Sequence, residues 1–365
     1  MPALLIIILI VFLVQFLYWV IFYFGISKDF ASSITKNTSV SVIVCAHDEE
    51  ENLKEILPLL LSQQYPEFEV IIVNDCSNDG TYDLLREESN KNSQLKIINI
   101  NHRPDHVNGK KYALTLGIKA AKYDWVLLTD ADCLPQSNGW ISQMSRAFTT
   151  SNSFVLGYSP YLKERGLLNS FIRFETIITA IQFFSFSNLG IPYMAIGRNL
   201  AYRKKAFLDN KGFNNHLHIT GGDDDLFVNQ HANGSNTQTV LNVNSIVNSK
   251  PKKTWKAFFQ QKIRHLAVGK RYKSSTRILL APFLLSWILF LPIVVLGLFT
   301  SFWLYVSVAV LLRWLAMIVA INTFNKKSGE EFEYWKIPFL DFIFWFYYLV
   351  AGFSALITKR IRWKT

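Results

Sequence analysis

The sequence predicts an α/β domain placed between membrane helices. Long runs without charge lie near both ends of the 365-residue chain, and short apolar runs in the middle alternate with helical patterns. The composition, 50% apolar and 18% charged residues, lies between the values typical of a soluble chain and of a chain wholly inside lipid. The same values exclude a disordered protein.

Three apolar runs are candidate membrane segments. Ala3–Ile26 has no charge, and its 24 residues would make about 36 Å of helix, enough to cross a hydrocarbon core of about 30 Å. Its uncharged start and its length argue against a signal peptide. Ile278–Phe324 carries one charge, Arg313, and is long enough for two crossings. Ile337–Thr358, charged only at Asp341, is a further candidate.

These runs divide the chain into an N-terminal membrane helix at 1–29, a central domain at 30–277 and a C-terminal membrane region at 278–365. Lys250–Arg277 carries ten Lys and Arg residues and no acid, which predicts a cytoplasmic central domain. Three C-terminal crossings would put the basic tail, 359–364, on the opposite side. The sequence therefore leaves two or three C-terminal crossings open.

The central domain begins with four short runs that are apolar along their whole length. Runs of this kind, separated by helices, are typical of a parallel sheet covered on both faces. Three cysteines without a CxxC or a Cys/His cluster give neither a disulfide framework nor a zinc site and suit a reducing compartment. The predicted strands are Ser41–Cys45, Glu69–Asn74, Leu95–Ile100 and Trp125–Thr129.

Polar residues follow these predicted strands at their carboxyl ends, where ligands bind in such sheets. His47 and Glu49 follow the first strand, Asp75 the second, and Asp130 and Asp132 the fourth. A carboxylate that ends a buried strand is costly unless it meets a cation, and Mg²⁺ or Mn²⁺ takes carboxylates together with phosphate oxygens. The pattern predicts a site for a nucleotide and a divalent ion, without a Walker loop or a GxGxxG motif.

A set of seven motifs then resembles a known family. SVIVCAHDEEENL, VNDCSNDGT, GKKYAL, LLTDADC, GRNLAYRK, GGDDDLF and QKIRH occur in this order over about residues 40 to 270. Together with the flanking apolar runs they resemble the membrane-bound family 2 glycosyltransferases, which include ceramide glucosyltransferases and the hyaluronan and cellulose synthases. The resemblance implies a GT-A fold, which is Rossmann-like with a mostly parallel sheet.

The resemblance also implies roles for individual residues. Asp130 and Asp132 correspond to the metal-binding DxD for Mn²⁺ or Mg²⁺, with Asp132 the more direct ligand and Asp130 placed towards the ribose or the metal. The segment Gly197–Lys204 would line the acceptor side. For Lys110, in GKKYAL, the alternative to a nucleotide-binding role is a solvated residue at the start of a helix. The residues that would receive the nucleotide are Ala46, His47, Glu49, Asp75 and Lys110.

The acidic run Asp223–Asp225 is expected to contain the general base. In the family, a catalytic aspartate stands about eleven residues before a glycine that ends the next helix, and counting back from Gly234 gives Asp223. Asp224 is the alternative. A base is required because the acceptor hydroxyl must lose its proton as it attacks the anomeric carbon. The competing interpretation is a solvated N-terminal helix turn, where acids are favoured by the helix dipole.

QKIRH resembles the family's QxxRW motif and contributes Gln261, Arg264 and His265. Arg264 suits a diphosphate because guanidinium groups make bidentate contacts. It could equally belong to a basic stretch attracted to anionic lipid. In processive synthases the tryptophan is associated with holding the growing chain, so His265 in its place favours a single transfer. The segment near 167–190 is predicted to be an interfacial helix, with a buried core helix as the alternative.

The function predicted from these residues is an inverting, metal-dependent glycosyltransferase. It would act at the cytoplasmic face of a bacterial-type inner membrane and move one sugar from a nucleotide diphosphate sugar to a lipid or lipid-linked acceptor. A UDP-sugar is the expected donor, and nucleic acid is not an expected partner. The alternatives are a processive polysaccharide synthase and a non-catalytic membrane protein that binds nucleotide sugars.

Overall fold

The computed structural model describes residues 2–28, 38–104, 107–217, 219 and 221–357. Nine strands occur in this part of the chain. They are β1 (Val40–Ala46), β2 (Phe68–Asp75), β3 (Leu95–Ile100), β4 (Trp125–Asp130), β5 (Cys133–Pro135), β6 (Phe154–Gly157), β7 (Leu200–Arg203), β8 (Thr237–Val240) and β9 (Val247–Ser249).

Thirteen α-helices accompany the strands in the described residues. They are α1 (Pro2–Ser27), α2 (Glu50–Leu61), α3 (Thr81–Lys91), α4 (Gly109–Ala120), α5 (Trp140–Ser145), α6 (Leu167–Asn188), α7 (Lys204–Asp209), α8 (Asp225–His231), α9 (Trp255–Val268), α10 (Ser274–Leu298), α11 (Trp303–Ser328), α12 (Ile337–Tyr347) and α13 (Phe353–Ile357). A π-helical turn, Tyr348–Gly352, joins the last two.

The chain divides into two compact units. One, which we call the sheet unit, comprises Phe30–Leu162 and Gly190–Pro251. The other, which we call the helical unit, comprises Met1–Asp29, Lys163–Leu189 and Lys252–Arg360.

The sheet unit is built on a seven-stranded sheet of order β3-β2-β1-β4-β7-β6-β8. β7 pairs antiparallel with both of its neighbours, whereas the other pairs in this sheet are parallel. β5 and β9 form a separate antiparallel pair. The parallel half arises because β1, β2 and β4 are mostly buried and apolar, and because a helix follows each of the first three strands. The predicted mostly parallel sheet is confirmed.

The strand register brings the predicted site residues to one edge. Cys45 of β1 pairs with Asp130 of β4, and Ala46 of β1 pairs with Asn74 of β2, one residue before Asp75. Carboxyl ends of parallel strands share an edge of the sheet, so Asp75 and Asp130 lie on either side of the end of β1.

The helical unit contains four helices that are long and apolar enough to cross a membrane. They are Leu5–Ser27, Ser274–Leu298, Trp303–Ser328 and Tyr334–Ala355. α1 packs against α11, α10 and α6, and a cluster of aliphatic and aromatic side chains joins α1 to α10 and α11. Three candidates thus lie C-terminal to the sheet unit. The basic tail at 359–364 lies outside the described residues.

α6 is a single 22-residue helix whose two charged residues, Arg173 and Glu175, are both buried, each being 5% exposed. Within the helical unit it packs on α1, α12 and α11. Its placement at a membrane interface stays a prediction, as do the domain limits at 30 and 277.

Candidate active site

The loops after β1 and β2 are joined by hydrogen bonds. Nδ1 of His47 lies 2.6 Å from the carbonyl oxygen of Asp75. The Asp48 amide donates to the Ser77 hydroxyl at 2.9 Å, and the Asn78 amide donates to the Asp48 carboxylate at 2.7 Å. Each loop therefore fixes the conformation of the other, and His47 faces the end of β2.

Glu49 and Asp79 complete this connection. The Glu49 amide donates to the Thr81 hydroxyl at 3.0 Å, and the Glu49 carboxylate accepts from the Asn52 side chain. Asp79 accepts from the amides of Glu50 at 3.2 Å and Thr81 at 3.0 Å. Asp79 thus braces the loop, and Glu49 also contributes to the start of α2.

Asp75 is a buried carboxylate with an unused acceptor. It is 4% exposed, and its Oδ2 accepts from Nη1 of Arg103 at 3.2 Å. Its Oδ1 has no hydrogen-bond partner among the described residues. Such an atom is costly unless a ligand donates to it, and an N–H of a nucleotide base would do so. A Cβ at Gly109 would lie 2.6 Å from Asp75 Oδ2, so only glycine fits beside this carboxylate.

Lys110 connects the end of β4 with the acidic run. Its Nζ lies 2.9 Å from Asp130 Oδ1 and 3.2 Å from Asp223 Oδ2. Burial opposes the charged ammonium, but the carboxylates of Asp130, Asp223 and Asp224 outweigh it and raise the pKa of Lys110 well above its usual value. Lys110 is therefore a partly buried cation shared between two predicted site residues.

The acids of the run have different environments. Burial would raise the pKa of Asp223, but the charges of Lys110 and Lys111 more than offset this and lower it below the usual value. Asp224 accepts from the Gly197 amide at 2.7 Å and from the Asp225 amide at 2.8 Å. Burial, followed by the charge of Asp223, raises the pKa of Asp224 to about 6. Asp223 is thus the ionised member, and Asp224 titrates close to neutral pH.

Lys111 holds the loop that precedes the acidic run, and the sequence patterns did not single it out. It is fully buried, and its Nζ donates to the carbonyl oxygens of His216 at 2.7 Å and Ile219 at 2.9 Å. The Asn108 amide donates to the Leu217 carbonyl at 3.2 Å. The beginning of α4 therefore carries the adjacent lysine Lys110 and also anchors the acidic loop.

The donor set after β4 fits a hard divalent cation. Ligand atoms of Asp130, Asp132 and Cys133 lie within 4.8 Å of one another. Burial raises the pKa of the Cys133 thiol well above its usual value, so it stays protonated, and it donates to Asp132 Oδ1 at 3.3 Å. Mg²⁺ and Mn²⁺ prefer oxygen to thiol ligands. The two carboxylates are therefore the candidate ligand pair, with Cys133 orienting one of them.

Arg198 adds a partly buried cation near these carboxylates. Its Nη2 donates to the Ser159 carbonyl at 3.2 Å, and its guanidinium lies 4.5 Å from the ring centre of Tyr161. Burial opposes its charge, but the surrounding groups, among them Asp130 and Asp132, keep its pKa above the usual value. It lies in the segment predicted to line the acceptor side, where no sequence pattern distinguishes it from its neighbours.

The remaining predicted residues are distributed as follows. Ala46 is buried at the end of β1. Gln261, Arg264 and His265 lie on α9, which belongs to the helical unit, whereas the acids belong to the sheet unit. The structure therefore brings together Asp75, Lys110, Asp130, Asp132, Asp223 and Asp224 with the loop of His47, and the assignment of the QKIRH residues to the same site stays a prediction.

Comparison with known proteins agrees with this geometry. Residues 41–209 match the model of the family described as "Glycosyl transferase family 2". A poly-beta-1,6-N-acetyl-D-glucosamine synthase of Staphylococcus epidermidis is 35% identical over 127 residues, which are 32% of this chain and 29% of that protein. The corresponding synthase of Staphylococcus aureus strain COL is 29% identical over 128 residues, 32% of this chain and 30% of that protein. The chain thus spans less than a third of the length of these relatives.

A solved structure supports the fold over nearly the whole chain. It is a mannosyltransferase from Pyrobaculum calidifontis in complex with GDP-Man and Mn²⁺, with a TM-score of 0.61 and 17% identity over 98% of this chain and 99% of that one. At this identity the likeness concerns the fold. Together with the sheet order it supports a GT-A fold, and the match at residues 41–209 identifies that segment as a glycosyl transferase family 2 domain.

Proposed function

We propose that the protein is an inverting, metal-dependent membrane glycosyltransferase. It would transfer a single sugar from a nucleotide diphosphate sugar, with a UDP-sugar as the expected donor, to a hydroxyl of a lipid or lipid-linked acceptor. The observation that carries the proposal is the shared cation Lys110, which joins the acid at the end of β4 to the acidic run before α8. Four apolar helices support an integral membrane protein, and the basic stretch Lys250–Arg277 is the reason to expect its domain at the cytoplasmic face.

The donor would lie along the carboxyl edge of the sheet. The unused Oδ1 of Asp75 would accept a hydrogen bond from the base, within the loop pair that His47 connects. Asp130 and Asp132 would hold Mn²⁺ or Mg²⁺, which would neutralise the departing diphosphate. Lys110 and Arg198 are partly buried cations of the sheet unit that would add to this neutralisation.

Asp223 would act as the general base. It is 7% exposed and stays ionised beside Lys110, so it can accept the proton of the acceptor hydroxyl as the oxygen attacks the anomeric carbon. The new glycosidic bond forms on the face opposite the breaking bond to the diphosphate, which inverts the anomeric carbon. Asp224 would position this carboxylate through its bond to the Gly197 amide.

The experiment compares the lipids of cells with and without the protein by mass spectrometry. We expect one lipid class to gain a single hexose or N-acetylhexosamine increment, which would also identify the sugar and the acceptor. Unchanged lipids and no sugar transfer by the purified chain from a panel of nucleotide sugars would contradict the proposal and support a non-catalytic binding role.

A processive synthase is the second candidate, favoured by the names of the Staphylococcus relatives. The purified chain with UDP-N-acetylglucosamine and Mn²⁺ distinguishes the two. A ladder of products longer than one sugar would favour the synthase, and one added sugar per acceptor would exclude it. His265, in place of the family's tryptophan, favours the single transfer.

A further inference from the structure

A cleft of the helical unit lies where α6 begins and where the connection from α11 reaches α12. It has two adjoining parts of about 320 and 330 Å³, each within the range of small-ligand sites. The first part is lined mainly by charged side chains and the second mainly by apolar ones. Gly166, Ser170 and Lys336 line both parts, so the two are continuous.

The charged part has more cations than acids. Four basic residues line it against Glu164 and Glu333. Both acids are accompanied by cations: Glu164 pairs with Lys253, and Glu333 lies 3.4 Å from Lys336. Glu331, beside the lining, lies 3.4 Å from Lys163. Ion pairs that water reaches are worth little and can exchange for a stronger anion. The basic lining residues are Lys163, Arg165, Arg173 and Lys336.

Arg173 is the buried basic residue of this part. It is 5% exposed, and its Nη2 donates to Glu330 at 2.7 Å and to the Glu331 carbonyl. Its Nε has no hydrogen-bond partner within the described part of the chain. A buried guanidinium with an unused donor is costly by itself and suits an anion that accepts from it.

A hydroxyl and a helix terminus lie at the same place. The Ser170 hydroxyl, on the first turn of α6, accepts from Lys336 Nζ at 3.2 Å and donates to the Gly166 carbonyl at 3.2 Å. The first turn of this 22-residue helix also presents amide groups that lack partners within the helix, and the positive end of its dipole. An oxyanion here would meet cations, a hydroxyl and the helix terminus together.

The apolar part exposes large side chains to solvent. Trp335 is 78% exposed, Phe339 56% and Leu167 46%. Tyr334–Ala355 is a candidate membrane span, so Trp335 and Lys336 lie at its first turn. Tryptophan and lysine at a span end are typical of the interface between headgroups and acyl chains.

The cleft lies at the same end of the helical unit as the last turn of α1. Lys327, at the end of α11, donates to the Ser27 carbonyl at 3.3 Å and the Lys28 carbonyl at 3.1 Å. The residues from Ser328 to Lys336 therefore start from the membrane side on which α1 ends. If the central domain is cytoplasmic, this is the cytoplasmic leaflet, where anionic lipids are concentrated.

We propose that this cleft binds one acidic phospholipid of the bilayer. Its phosphate would lie among Arg165, Arg173, Lys336 and the Ser170 hydroxyl, and its acyl chains would follow Trp335 and Phe339. The basic side chains of the charged part favour an anionic headgroup. The exposed aromatic and aliphatic side chains of the apolar part favour a lipid over a free anion. The proposal does not depend on the transferase activity.

Native mass spectrometry of the full chain in detergent tests it, with phosphatidylglycerol and phosphatidylcholine of the same acyl chains as probes and inorganic phosphate as a third. We expect one phosphatidylglycerol to bind more tightly than phosphatidylcholine. Arg165→Gln with Lys336→Gln should weaken it roughly 10- to 30-fold, since each basic residue near an anionic lipid contributes about 1 kcal/mol. Phe339→Ser should also weaken it.

Lys326→Gln is the matched control, because Lys326 is an exposed lysine in the last turn of α11 that does not line the cleft. It should bind as the unchanged protein does. Equal binding of the two lipids, equal binding by the double variant, or displacement of the lipid by millimolar phosphate would each overturn the proposal. Arg165→Gln alone, at an exposed position, repeats the test if the double variant does not fold.

Discussion

Both units bury acids and bases, but they balance them differently. In the sheet unit, Lys110 contacts Asp130 and Asp223, and Asp224 lies close enough to Asp223 for its pKa to rise. In the helical unit, Arg313 makes two bonds to Asp341, at 2.5 and 3.1 Å, and its Nε donates to Gln15 at 3.1 Å. The first group has surplus acid, and the second is neutral and fully bonded.

This difference in charge balance indicates different roles for the acids around Lys110 and for the pair of Arg313 and Asp341. A neutral, hydrogen-bonded pair between α11 and α12 satisfies charges that would otherwise be exposed to hydrocarbon. The Trp314 indole also donates to Asp341 at 3.1 Å. A surplus of partly or fully buried carboxylates is unfavourable without added cations, which is consistent with the metal and the ligands proposed for the sheet unit. We expect substitutions to affect activity in the first group and stability in the second.

Asp223→Asn should have the largest effect on activity. Loss of the base should lower kcat by about 10²- to 10⁴-fold, while the amide keeps the shape of the side chain. Sugar transfer by purified protein measures it, with the exposed Asp83→Asn of the same unit as the control. A kcat for Asp223→Asn within a few-fold of the unchanged protein would remove Asp223 from the proposed role.

Arg313→Met should have the largest effect on stability. It leaves Asp341 buried and unpaired, which costs about 3–5 kcal/mol. The double variant Arg313→Met with Asp341→Leu should recover most of this loss, since a well-packed apolar pair is often as stable. Thermal unfolding in detergent measures both. A double variant no more stable than the single one would show that the pair is more than a neutral connection.

Asp132→Ala should lower activity by at least about 100-fold, because it removes a predicted metal ligand. Chelation by EDTA should have the same effect on the unchanged protein, and added Mn²⁺ should reverse it only there. Full activity after chelation would contradict a metal between Asp130 and Asp132.

Asp224 should set a moderate pH dependence. Its pKa is raised to about 6, so below that pH it becomes protonated and no longer adds negative charge beside Asp223. We expect kcat/KM to fall up to about tenfold for each pH unit below about 6. Asp224→Asn should be less active than the unchanged protein, but its kcat/KM should no longer fall below about pH 6. If kcat/KM of Asp224→Asn still falls in the same way, another group causes the pH dependence.

The sheet and its acidic edge could be predicted because both depend on local patterns. Buried strands need uninterrupted apolar runs, and an acid directly after such a run, as at Asp75 and Asp130, is costly unless it binds a cation or a ligand. The four predicted strands correspond to β1 to β4, which begin and end within one residue of the predicted bounds, whereas β5 to β9 were not predicted.

Contacts between distant segments could not be predicted in the same way. Lys110 and Lys111 are adjacent in sequence, yet one contacts the acids and the other binds carbonyls more than a hundred residues away. No periodic pattern separates the two. Arg103, three residues after β3, could have been found by applying the strand-end rule to that strand. The pair Arg313 and Asp341 could also have been expected, since each is the lone charge of its apolar run.

Titration of UDP into the full chain tests the central claim most directly, namely that the surplus of acid at the sheet edge receives a metal and a nucleotide. Isothermal calorimetry should show UDP binding that requires Mn²⁺, is lost in Asp132→Ala and is retained in Asp223→Asn, because Asp132 is a proposed metal ligand and Asp223 is not. UDP binding that is indifferent to Mn²⁺ and to Asp132→Ala would contradict the account.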